Sequence, residues 1–408
     1  MIDFASVRIE RSKPVAAAGF ITACLLSAWP IQGDPRDQLR ENGALRPSVI
    51  AIFNVAMEKG AITPAFEPTS GYLRSVLEFF RIPAESQIVV FSQASFQAKL
   101  INQENPRAIY FNDDVAVAWV RGSSSIEAAA VDPERGIAFY RLENGAEKRR
   151  FERDDSCLAC HQSQRTLGVP GLFVLSNSPN GDGGGFVSDH RTPFPERWGG
   201  WYVTGISSRF RHLGNRTGQG WLESLYDQFN TSGYLTEYSD IVALMIFEHQ
   251  TQAINLITRL AREARTGESG QRLKDAVNRL VDYLLFVDEA PLPSRIIGTS
   301  GFREKFESFG LHDRKGRSLR QVDLDKRIMR YPCSYMIYSK AFDALPSHAR
   351  ESVYARMWDI LGGRSEEQRY ARMPAADREA VIEILRDTKR DLPRYWSTSG
   401  YSRVSAIY

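Results

Sequence analysis

Cys157-Leu158-Ala159-Cys160-His161 constrains this chain more than any other five residues in it. Two thiols three positions apart, followed at once by an imidazole, suit the anchoring of one broad planar group. The thiols reach two vinyl groups of a porphyrin and form thioethers, and the histidine is held beneath the ring, where it ligates iron. The chain has only four cysteines and six histidines, so the spacing is no by-product of composition. A zinc cage needs two further ligands, in a second C-x-x-C or an H-x-x-x-H, and neither occurs. A thioredoxin-like dithiol sits at a strand-to-helix junction of a βαβ unit, which the flanking sequence does not suggest. The expected cofactor is one covalent haem c bound by Cys157, Cys160 and His161, with His161 as proximal iron ligand.

The N-terminal residues point to the compartment. Arg8, Arg11 and Lys13 precede an apolar stretch over 15–30, too short and too weakly flanked for a membrane span but suited to a signal h-region. Residues 1–33 therefore read as a signal peptide or an N-terminal anchor, with cleavage after Ala28 or Gly33. Ile21-Thr22-Ala23-Cys24 resembles a bacterial lipobox, which would make Cys24 a lipid anchor, although the apolar run continues past it. Cleavage, lipidation at Cys24 and an uncleaved anchor each expect a periplasmic or otherwise exported body, attached to a membrane in the last two cases, and haem c is attached in that compartment. Cys333, in an apolar setting, reads as a buried structural residue.

Without the leader, about 370–380 residues remain, enough for two or three domains. Lys and Arg number 52 against 49 Asp and Glu, a net charge of +3. With no basic stripe interleaved with aromatics, no nucleic-acid partner is expected. The run Glu147-Lys148-Arg149-Arg150, followed by Glu152-Arg153-Asp154-Asp155, reads as a solvated helix face or as a docking patch for a redox partner protein.

Hydrophobic patterning predicts an α+β fold. Residues 34–145 form an antiparallel-sheet-containing region: helical over 34–82, then strands at 88–92, 108–111, 115–120, 125–131 and 137–142. A haem-binding segment spans 146–235, with a charged helical approach over 147–156 and mostly loop over 168–200. Residues 236–408 are mainly helical, at 239–265, 270–287, 340–362 and 374–388. Asn112-Asp113-Asp114 reads as a turn, and Gly181-Asp182-Gly183-Gly184-Gly185 as a loop without the Lys-Ser/Thr of a phosphate site.

The other axial ligand decides what such a haem does: methionine raises its potential, histidine lowers it, and an open position permits small-molecule chemistry. Candidates are His190, Met245 and His249, with His212 behind them; Met245 and His249 sit four apart on one predicted helix face. For each, the plainer alternative is a core methionine or a satisfied polar histidine. Arg197-Trp198-Gly199-Gly200-Trp201-Tyr202 offers two tryptophans for a porphyrin face and Arg197 for a propionate, or ordinary aromatic core.

The haem segment resembles cytochromes c in general. Its Thr166-Leu167-Gly168-Val169-Pro170-Gly171 is similar to the Gly/Pro loop in which a backbone carbonyl accepts the proximal histidine's Nδ1–H; Pro170 or a neighbour is the expected acceptor, with a plain turn as the alternative. More widely, the chain resembles a group of exported bacterial cytochrome c-like proteins. That likeness rests on Arg81-Ile82-Pro83, Val90-Phe91-Ser92, Tyr110 to Val115, the C-x-x-C-H, Arg197 to Gly205 and Phe247-Glu248-His249-Gln250. It implies haem c and export and supplies no reaction. The expectation is an exported mono-haem c-type cytochrome that transfers electrons to a redox partner. The alternatives are a peroxidase-like oxidoreductase with an open distal site and a haem-based sensor or binding module.

Overall fold

Alternating apolar residues build an antiparallel sheet in the first half of the chain. The structure is a computed structural model that describes residues 48–93, 95–145, 149–177, 185–207, 211–215, 221–267 and 270–397. The leader, Cys24, Lys148 and most of the glycine loop at 181–185 lie outside the described residues. Strands β1 (Ile88–Val90), β2 (Arg107–Phe111), β3 (Val115–Val120), β4 (Ser125–Asp132), β5 (Gly136–Glu143) and β6 (Glu152–Arg153) run as a meander. A separate hairpin pairs β7 (Val174–Asn177) with β8 (Gly185–Ser188). Strand β9 (Trp201–Tyr202) then joins the meander beside β1, giving the order β6-β5-β4-β3-β2-β1-β9. The α+β expectation holds, and the five predicted strands appear within two residues of their expected bounds.

Both faces of the sheet are covered, and the two-residue period of a strand decides which side chain meets which cover. Val115, Val117 and Trp119 of β3 pack with helices α1 (Val49–Glu58) and α2 (Leu73–Phe80). Ala116 of β3, with Ile137 and Phe139 of β5, faces the opposite core. The helices after the meander start with the single turn α3 (Leu158–His161), which carries part of the C-x-x-C-H motif. There follow α4 (Ile241–Arg265), α5 (Gln271–Leu284), α6 (Phe302–Ser308), α7 (Lys340–Asp343), α8 (Ser347–Leu361) and α9 (Ala375–Thr388).

Helix α4 is buried at 21 of its 25 positions, so it is a central strut rather than a surface helix. Asp240 caps it: one carboxylate oxygen accepts from the Val242 and Ala243 amides at 2.8 and 3.2 Å. The other accepts from the Thr299 and Ser300 amides at 2.7 and 2.8 Å, so one residue satisfies the helix start and ties down a distant loop.

Four expectations require correction. Residues 59–72 interrupt the helix expected over 34–82. The described part of the charged approach is not helical before the 3-10 turn at Asp155, because Glu152 and Arg153 pair with Arg141 and Tyr140 as the sheet's edge strand and find their backbone partners there. The stretch expected as loop contains the hairpin β7–β8. The helix expected over 340–362 is broken between α7 and α8: Pro346 lacks the N–H a continuous helix needs and disfavours helical backbone at Leu345. The described residues fall in one compact unit. The ranges 146–235 and 34–145 share one sheet, since β6 and β9 form its two edges.

Candidate functional site

The C-x-x-C-H motif sits on two short turns. Asp154 accepts from the Ser156 amide at 3.1 Å and so caps the 3-10 turn Asp155–Cys157, which runs directly into α3. Cys157 is half-buried and Cys160 exposed, and both thiols are free. Burial, aided by Asp154, pushes the Cys157 thiol up to about 11. A thiol so protonated is a poor nucleophile. Among the described residues no three or more His, Cys, Asp or Glu converge as a cage for one metal ion.

His161 is oriented from several sides. Its Nδ1 lies 2.9 Å from the Gly171 carbonyl oxygen, and the Gly171 amide donates back to the His161 carbonyl at 2.8 Å. The acceptor expected at Pro170 or a neighbour is therefore Gly171. This bond requires Nδ1 to carry the proton, which leaves the Nε2 lone pair for a metal. Nε2 makes no hydrogen bond among the described residues. Phe173 stacks on the ring at 5.1 Å, and Phe139 of β5 lies tilted at 4.9 Å. Burial lowers the imidazole's pKa and keeps it in the neutral form a ligand needs.

The loop that supplies Gly171 is shaped locally and clamped by α4. Ser163 makes a capping box over Gln164–Thr166, and Leu167 and Gly168 then take positive φ of 59° and 74°. Asn255 donates to the Leu172 carbonyl at 2.8 Å, Arg259 to Leu167 at 2.9 Å and Arg262 to Gly168 at 2.8 Å. These three lie at i, i+4 and i+7 on one helix face. The Pro170 carbonyl accepts from the Ile137 amide at 3.0 Å, which fixes the loop to β5 as well. A Cβ at Gly171 would come within 2.0 Å of Asn255 Oδ1, so glycine alone fits there. The sequence reading missed Phe139, Phe173, Asn255, Arg259 and Arg262. The one signal for the last three was polar residues at helical spacing in an otherwise apolar helix.

The distal candidates lie in the buried core. Met245 is fully buried in α4. His190 and His249 meet each other, their Nδ1 atoms 2.8 Å apart and sharing one proton. His249 Nε2 is also engaged, 2.6 Å from Ser334 Oγ, so neither of its ring nitrogens is open. His190 Nε2 is buried without a partner. Tyr283 and Phe286 pack on both rings, and burial depresses both imidazoles, His249 to about 3. His212 sits between Trp198 and Trp221 and accepts from the Gly214 amide at 3.0 Å.

Arg197 is wholly buried and spends its donors inside the protein. It pairs with Glu248 at 3.2 Å and donates to the Thr192 and His190 carbonyls at 2.7 and 2.8 Å. Trp198 is core, and Trp201 donates to the Leu175 carbonyl at 2.8 Å. The aromatic-core reading of this run therefore holds, and Arg197 is not free for a propionate. Asn112 Oδ1 accepts from the Asp114 and Val115 amides as a turn residue does, while Asp113 and Asp114 hold Arg320 and Lys340. No helix among the described residues is long and apolar enough to cross a membrane. Compared with protein-family models, curated proteins and solved structures, the chain matches none.

Proposed function

We propose that this chain is an exported mono-haem c-type cytochrome that carries single electrons to a redox partner protein. Cys157 and Cys160 hold the haem by thioethers, and His161 Nε2 is the proximal ligand. The observation that carries this reading is the His161 imidazole, oriented by the Gly171 carbonyl with Nε2 unengaged, one turn from two free thiols. The donor set fits the group: two thioether-forming sulfurs, a neutral imidazole of set tautomer, and aromatic walls in Phe139 and Phe173. Bound haem supplies a one-electron iron couple whose potential follows its axial ligands and surroundings. The chain's own part is to hold the ring, fix the proton on Nδ1 and keep the imidazole uncharged. Export follows from the leader, which also allows attachment to a membrane through the N-terminus.

A second reading has support in His249, whose ring nitrogens are both engaged, and in Met245, locked in the core. If His190, whose Nε2 is unpartnered, does not supply the sixth ligand either, that position would be open or exchangeable and would suit peroxide chemistry or sensing. The test is an absorption spectrum of protein matured with haem c, oxidised and reduced, with and without carbon monoxide. A c-type spectrum indifferent to carbon monoxide supports the electron carrier. A shift moves the assignment to the second reading. Replacing Cys157 and Cys160 by Ala abolishes covalent haem if the assignment is right; failure of the parent to take up haem covalently overturns it.

A further inference from the structure

A cavity of about 410 Å³ opens between the loop after the haem motif, helix α4 and helix α5. Leu256 and Ala276 are buried apolar residues in its wall. Three guanidinium groups reach it, Arg191, Arg259 and Arg279, against one carboxylate, Glu263. On α4 the lining residues Gln252, Leu256, Arg259 and Glu263 fall at i, i+4, i+7 and i+11, so they share one face.

The cations are not equivalent. Arg259 is held by Glu263 and by the Leu167 carbonyl. Arg191 is held by Asp189, with Nε donating at 3.0 Å, and lies over the Tyr283 ring. Arg279 makes no ion pair or hydrogen bond among the described residues. Among the described residues the cleft thus carries one uncompensated cation beside apolar wall residues, with two further guanidinium groups fixed in place. A guanidinium pairs with a carboxylate through two parallel hydrogen bonds, and a cavity of this size is in the range that encloses a small organic molecule.

We propose that this cleft binds a carboxylate carried on an apolar frame, with Arg279 as its charge partner. A single free cation favours a monoanion over a phosphate dianion, and the apolar wall favours a ring or branched chain over a short polar acid. The carboxylate has two sources, a free organic acid or a propionate of haem held at Cys157 and Cys160. Binding of a free acid does not depend on the haem reading.

Isothermal titration with 1-naphthoate tests this on two forms of the full chain, the haem-loaded protein and its Cys157→Ala/Cys160→Ala variant. 1-Naphthamide serves as the uncharged control. The expected result is saturable naphthoate binding that Arg279→Gln weakens by about tenfold or more, with naphthamide binding weaker by a similar factor. Arg279 is exposed and unpaired, so its replacement leaves folding intact, which circular dichroism checks. Binding to both forms assigns a free organic acid. Binding to the haem-free form alone assigns the cleft to the propionates. The proposal is overturned if naphthamide binds as well as naphthoate, if Arg279→Gln changes nothing, or if neither form binds naphthoate at about 10 mM. The haem band of the same samples reports separately on covalent attachment, so failure of one reading is distinguishable from failure of the other.

Discussion

Gly171 concentrates the demands of the site in one residue. Its carbonyl orients His161, its amide returns a bond to the same residue, and its missing side chain lets Asn255 reach the loop. Gly171→Ala forces Asn255 away from the Leu172 carbonyl. We expect a loss of about 1–3 kcal/mol in a denaturant titration, typical of overpacking at a tight contact. Asn255→Ala in the same chain should recover part of that loss, because the two effects share one contact. His212 makes a prediction of a different kind. Burial holds its pKa at about 4, below an unfolded value of about 6.5. Between those values the unfolded chain binds more protons, so its contribution is fully present above about pH 6.5 and is lost as pH falls toward about 4. That loss is worth about 3 kcal/mol, and His212→Gln should show a correspondingly shallower decline of stability across this window.

Helix α4 shows how an element recruits residues that its own sequence marks only faintly. Asn255, Arg259 and Arg262 hold the loop after His161, while Glu248 and His249 reach the segment between β8 and β9. The Arg197–Glu248 pair is fully buried, and burial raises the Glu248 pKa against the pull of Arg197. Glu248→Ala leaves a buried guanidinium without its counter-charge and should cost about 3–5 kcal/mol in thermal or denaturant unfolding. Arg197→Met with Glu248→Leu should lose much less, since no uncompensated charge is then left inside. The strands of the meander were legible because their alternation is regular and their turns are marked, as at Asp132-Pro133-Glu134-Arg135-Gly136. Strands β6 and β9 were not, because a two-residue edge strand has no period to read. Its backbone pairs with a neighbour far away in sequence.

For the whole molecule, the segment 146–235 is part of the fold's frame. It supplies both edges of the sheet, and its loop is pinned between β5 and α4. Such sharing predicts one cooperative transition for the described body in calorimetry. Limited proteolysis should release no stable fragment covering 146–235. Two separated transitions, or a folded fragment of that span, would contradict this account.

The chain's own sequence carried the C-x-x-C-H motif, the five regular strands, the long helices and the acceptor loop after His161. Each of these is a matter of local spacing: a thiol pair on one turn, a period of two or of 3.6, a glycine or proline at a turn. The tertiary structure alone decided that Gly171 rather than Pro170 accepts the imidazole proton. It also turned His249 and Met245 inward, paired Arg197 with Glu248, and brought Arg191, Arg259 and Arg279 to one cleft. Those outcomes depend on which faces meet across long separations in the chain, and no local spacing records that.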